Sequence, residues 1–82
     1  MQIYIKTVSD KILLLDVEST DTHDSLRQKI IDISADFIDT SCHYKGLERF
    51  CYTGILIAKN MIIGDYNIPP LGTIHLIYTR ST

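Results

Sequence analysis

The chain has 82 residues, 45% of them apolar, with eight Lys and Arg against ten Asp and Glu and a formal charge of -2. Folding at this length buries roughly 60–65% of the surface an unfolded chain exposes, which fits a single domain over residues 1–82 and disfavours a deep catalytic cleft. The charge balance lacks the basic excess that phosphate-tracking proteins show, so nucleic acid is not an expected partner.

Residues 1–7 alternate Met1, Ile3 and Ile5 with Gln2, Tyr4 and Lys6, the period of a half-buried strand whose first set faces the core. Val8-Ser9-Asp10 reads as a turn, and residues 11–17 resume the alternation with Leu13, Leu15 and Val17 on one side, completing a hairpin. The other side carries Ile12, Leu14 and Asp16, placing two large aliphatics where a one-sided sheet would be polar. Residues 18–22 are turn and cap formers, with Thr22 or Asp21 able to cap a helix over roughly residues 23–34. Leu26, Ile30, Ile33 and Phe37 recur at helical spacing, Asp24 suits the positive end of the helix dipole, and Ile31 falls off the stripe. Residues 35–46 lose periodicity and read as a long loop.

Residues 47–52 form a strand with Phe50 and Tyr52 facing one way and Arg49 and Cys51 the other. Thr53-Gly54 turns it into a short strand over 55–57. Gly64-Asp65-Tyr66-Asn67 reads as a turn, Pro69-Pro70 forbids a helix there, and residues 73–79 make a last strand with Ile74, Leu76 and Tyr78 inward. Two hairpins flanking one helix, plus a final strand, predict an α+β roll: a mixed sheet wrapped around one helix, with its first and last strands parallel at the centre.

Cys42 and Cys51 are too few for a disulfide framework and no basic-then-apolar leader opens the chain, so a reduced, intracellular protein is expected, cytoplasmic or nuclear. No apolar run, Ile12-Leu13-Leu14-Leu15 included, approaches the ~20 residues of a membrane helix, and no membrane partner is expected. His23, Cys42, His43, Cys51 and His75 lack metal-ligand spacing, and no metal or other cofactor is expected. A thiol at Cys51 beside His75 would lack an oxyanion hole on an open sheet, so neither catalytic residues nor enzyme activity are expected.

Met1-Gln2-Ile3, Lys6-Thr7, Lys11, Leu15, Val17-Glu18, Asp21-Thr22, Lys29-Ile30 and Asp32 recur without a gap in ubiquitin. Arg49, Gly54, Asp65-Tyr66-Asn67-Ile68, Thr73, His75 and Leu76 continue the match. The chain therefore resembles the ubiquitin-like family over residues 1–34 and 48–78, with an insertion around 35–47, and the resemblance implies a β-grasp fold. It departs at the end, where Arg80-Ser81-Thr82 stand instead of a diglycine tail and Thr79 occupies the position of an arginine that contacts the activating enzyme. A β-branched terminus does not suit the narrow channels of conjugating enzymes.

In this register the family's binding patch falls on Val8, Cys51 and Ile77. It is flanked by His75, Lys6, Arg49 and Gly54, and Ile55, in place of a lysine, extends the apolar area. A small apolar centre with a basic rim suits a partner that brings aliphatic and acidic groups. Tyr4, Ile12 and Leu14 form a second apolar patch on the first hairpin, where ubiquitin has threonines at the last two positions. With the second strand at a sheet edge, a weak homodimer through that hairpin is expected. His23 and Glu48 replace a buried isoleucine and a largely buried glutamine of the family and are expected to affect stability and pH response rather than form a site.

The expectation is a non-conjugating ubiquitin-like interaction domain in the ubiquitin-proteasome pathway, the amino-terminal module of a larger protein. It would bind ubiquitin receptors, the proteasome or an unfoldase through the sheet face. The alternative is a ubiquitin-type modifier whose Gly-Gly tail follows Thr82.

Overall fold

The structure, a computed structural model, describes residues 1–38 and 47–79. Alternating apolar residues build β1 (Gln2–Thr7), β2 (Ile12–Asp16), β3 (Glu48–Tyr52) and β5 (Thr73–Tyr78), with a two-residue β4 (Ile55–Leu56) and one helix, α1 (His23–Ile33). The strands lie in the order β2-β1-β5-β3-β4. β1 and β5 pair parallel at the centre, and all other neighbours are antiparallel. This is the ubiquitin-like β-grasp topology.

The inward set of each strand meets the helix in one core. Ile3, Ile5, Leu15, Phe50, Ile74 and Leu76 from the sheet and Leu26 and Ile30 from α1 are all inaccessible to water or nearly so. Each such side chain contributes roughly 1.5–3 kcal/mol by leaving water, the main term holding the helix in the grasp of the sheet. Thr22 is the helix cap, its hydroxyl accepting the Ser25 N–H at 3.3 Å, while Asp21 accepts the Glu18 N–H at 2.9 Å and pairs with Lys29 Nζ at 2.6 Å.

The helix stripe ends sooner than its spacing suggests. Ile33, expected in the core, is 58% exposed, because α1 stops there and Ser34 turns extended while its N–H closes on the Ile30 carbonyl at 2.8 Å. The chain then folds back, Phe37 N–H donating to Ser34 at 3.1 Å, and Phe37 and Ile38 are buried in the core. Ile31, off the predicted stripe, packs against the core as a partly buried side chain. Most of the expected insertion, with Cys42 and His43, lies outside the described residues.

Between β4 and β5, a short 3-10 helix (Ile63–Tyr66) replaces the predicted turn, closed by Asn67 in the left-handed region at φ 53°. It docks on the segment before α1 through Gly64 N–H to the Ser19 carbonyl at 2.9 Å. A Cβ on Gly64 would sit 2.9 Å from that same oxygen, so only glycine permits the approach. Tyr66 Oη accepts the Ala58 N–H at 2.9 Å and fixes the chain leaving β4.

Candidate interaction surface

Pairing across the sheet places the outward side chains in rows. One row crosses the whole sheet as Ile12, Lys6, His75, Cys51 and Leu56, and beside it run Leu14, Tyr4 and Thr73. On the other side of the long row, Arg49 pairs with Ile77, and Val8, 73% exposed, stands in the turn that follows β1. Tyr4, Lys6, Ile12, Thr73 and His75 line an open depression of about 410 Å³. The two patches expected from the sequence are therefore one surface, joined through Lys6 and His75.

The register moves one apolar residue of this surface. Ile55 pairs with Tyr52, not Cys51, so β4 places Leu56, 41% exposed, in the Cys51 row and Ile55 in the row of its inward-facing neighbour. Ile55 remains exposed at the sheet edge, next to Gly54, whose φ of 83° makes the turn. Leu56 was not singled out from the sequence. The available signal was the two-residue Thr53-Gly54 turn, which pairs the residues flanking it and so fixes the next pair out.

The basic rim is partly anchored. Arg49 donates from its guanidinium to the Ile57 carbonyl at 3.1 Å, which ties it to the end of β4, and Lys6 Nζ lies 3.7 Å from Asp10 in the following turn. His75 is exposed between Lys6 and Cys51, and the Cys51 thiol is free and half-buried. No carboxylate stands in the long row or in the Arg49–Ile77 pair.

Behind the surface, a polar cluster completes the β3 edge. The Ile57 N–H donates to the Phe50 carbonyl at 2.8 Å, so Phe50 addresses β4, and by the two-residue alternation Glu48 faces the same side where β4 has already ended. His23, buried in the first turn of α1, fills that gap: its Nε2 lies 3.0 Å from the Glu48 carbonyl oxygen and donates to it. The ring also stands edge-on to Phe50 at 5.1 Å between centroids, and its Nδ1 lies 3.4 Å from Asp24 Oδ1. The Glu48 carboxylate, itself buried, pairs with Arg27 Nε. Burial pulls this carboxyl up, but its own backbone N–H, the hydrogen bond and charge of Arg27, and the charge of His23 outweigh that and hold it below the ordinary 4.5.

Among the described residues no three His, Cys, Asp or Glu side chains gather as metal ligands, and no helix is long and apolar enough to cross a membrane. Compared with models of known protein families, the chain matches none.

Proposed function

We propose that this chain is a non-conjugating, ubiquitin-like interaction domain that binds other proteins through the outward face of its sheet. The supporting observation is the unbroken row Ile12, Lys6, His75, Cys51 and Leu56, bordered by Val8, Ile77 and Arg49, which mixes aliphatic and basic groups without a carboxylate. Such a surface suits a compact domain or amphipathic helix presenting aliphatic and acidic residues, the chemistry of a ubiquitin receptor or of a proteasome or unfoldase docking site. Thr79 stands at the position of the activating-enzyme arginine of the family it resembles, and the loss of that side chain favours binding over conjugation.

Titration of the 15N-labelled domain with a panel of ubiquitin-binding domains and proteasome and unfoldase subunits tests this. Shifts are expected at Lys6, Val8, Cys51, Leu56, His75 and Ile77. Val8→Asp, at a fully surface position, is expected to weaken binding at least tenfold with the melting temperature unchanged, and Ile77→Asp to weaken it further. Unchanged affinity in Val8→Asp and Ile77→Asp would reject the assignment. A thioester formed with ubiquitin-activating enzyme and ATP would favour a modifier instead.

A further inference from the structure

We propose that two copies of this chain join through the free edge of β2, antiparallel about a two-fold axis at Leu14, so that their sheets become one. The hydrogen-bond alternation of the first hairpin sets up this edge. Thr7 N–H donates to the Lys11 carbonyl at 2.9 Å and Val17 N–H to the Met1 carbonyl at 2.7 Å, so the odd-numbered residues of this strand address β1. Ile12, Leu14 and Asp16 therefore turn their N–H and C=O groups outward, at an end of the sheet where no described strand pairs with them. An unpaired edge of this kind is a template for another strand.

The same residues carry the side chains that select a second copy as the occupant. Ile12 is 61% and Leu14 43% exposed, and β2 contains no proline, no bulge and no lysine; its one charge, Asp16, sits at the strand end, 3.3 Å from the Met1 ammonium. With the axis at Leu14, Leu14 meets Leu14 of the second copy and Ile12 meets Asp16, so every outward N–H and C=O of the strand finds a partner. On the outward face Tyr4 and Leu14 continue across the axis into their own counterparts, a closed apolar stripe. Asp16 of the second copy enters the row of Ile12 and Lys6, opposite charges on one face. Moving the axis to Leu13 would leave Asp16 facing Asp10, and moving it to Leu15 would leave Ile12 facing Glu18, in each case a residue beyond the strand, so only the axis at Leu14 pairs all three outward residues with one another. β4, the other edge, has only two residues and offers no comparable ladder.

One five-residue strand with two aliphatics buries well under the roughly 1,200 Å² of a stable complex, so the dimer forms at high concentration. Its geometry leaves Cys51, Leu56 and Ile77 of both copies free and facing the same side, a bivalent form of the binding surface.

Sedimentation velocity of the whole chain from about 10 μM to about 1 mM is expected to show a monomer passing to a dimer. Leu14→Lys, which brings like charges together on the axis at an exposed position, is expected to abolish the dimer without changing the circular dichroism or melting temperature. Leu14→Cys, in a background with Cys42 and Cys51 replaced by serine, is expected to form an intermolecular disulfide on mild oxidation. A hydrogen-bonded antiparallel pair brings its Cα atoms to about 5.5 Å, within disulfide range. His75→Cys, at the middle of the face, is the control and is expected not to cross-link. A monomer throughout the range, or a dimer that survives Leu14→Lys and cross-links through His75→Cys, would overturn the proposal.

Discussion

Glu48 shows how one side chain can serve a strand, a helix and the pH response together. Its backbone lies beyond the end of β4; His23 from α1 supplies the donor for its carbonyl, and its carboxylate reaches Arg27 on the same helix. A buried carboxylate is tolerable only when paired, and removing one partner leaves the other uncompensated. Because the folded-state pKa is depressed, folding favours the ionised form. The resulting stability is complete above the ordinary value of 4.5 and is lost as pH falls through the lower folded value. The melting temperature is therefore expected to fall on acidification below about pH 4.5, and Glu48→Gln is expected to flatten that slope while lowering stability at pH 7. An acid limb identical in the variant would show that other carboxylates carry it.

At the scale of elements, strands with a full period were legible and short ones were not. Ile3 and Ile5 in β1 and Ile74 and Leu76 in β5 alternate over enough residues to fix both faces, and the helical crossover between them makes the central pair parallel. β4 has two residues and no period of its own, so which of Ile55 and Leu56 joins Cys51 depends on the turn alone. The end of α1 was obscured for a different reason: Phe37 keeps helical spacing from Ile33, the last helical residue, after the backbone has left the helix, and tertiary packing buries only Phe37. The burial of His23 carries no signal in periodicity, since a histidine in a first turn reads as polar, and only the isoleucine at this position in the family it resembles pointed to it. The deciding turn is itself imperfect. Thr53 and Gly54 both have positive φ, 50° and 83°, as a type I′ hairpin requires, and a β-branched residue is ill suited to the first position. Thr53→Asn is expected to stabilise the domain by about 0.5–1 kcal/mol in denaturant unfolding with no change in slope, through a better turn and nothing else. A loss of stability would mean that the Thr53 hydroxyl, which donates to the Tyr52 carbonyl at 2.8 Å, matters more than the backbone strain.

Over the whole molecule, charge is sorted by face. The formal charge is -2, yet the outward rows of the sheet carry Lys6, His75 and Arg49, with Asp16 at the far corner and Asp10, 3.7 Å from Lys6, in the turn after β1 as the nearby carboxylates. Glu18, Asp24, Asp32, Asp36 and Asp65 are exposed in the helix, turns and connections instead. A protein of negative net charge with a basic contact face repels an acidic partner from most directions and attracts it along one, so the field orients the encounter rather than only strengthening it. Exposed charges farther apart than the Debye length, about 10 Å at 0.1 M salt, lose most of this effect, whereas the proposed contact through Val8, Leu56 and Ile77 would not depend on salt. For a receptor selected by the titration above, raising salt from about 0.05 M to about 0.5 M is expected to slow association roughly tenfold and change dissociation less than about threefold. Stopped-flow rates at several salt concentrations separate the two. Lys6→Gln is expected to remove part of the salt dependence, leaving the dissociation rate in place, because Lys6 acts on the approach and the aliphatic residues on the bound state. An association rate independent of salt would mean that the partner is recognised by the aliphatic residues alone and that the basic rim has no part in the encounter.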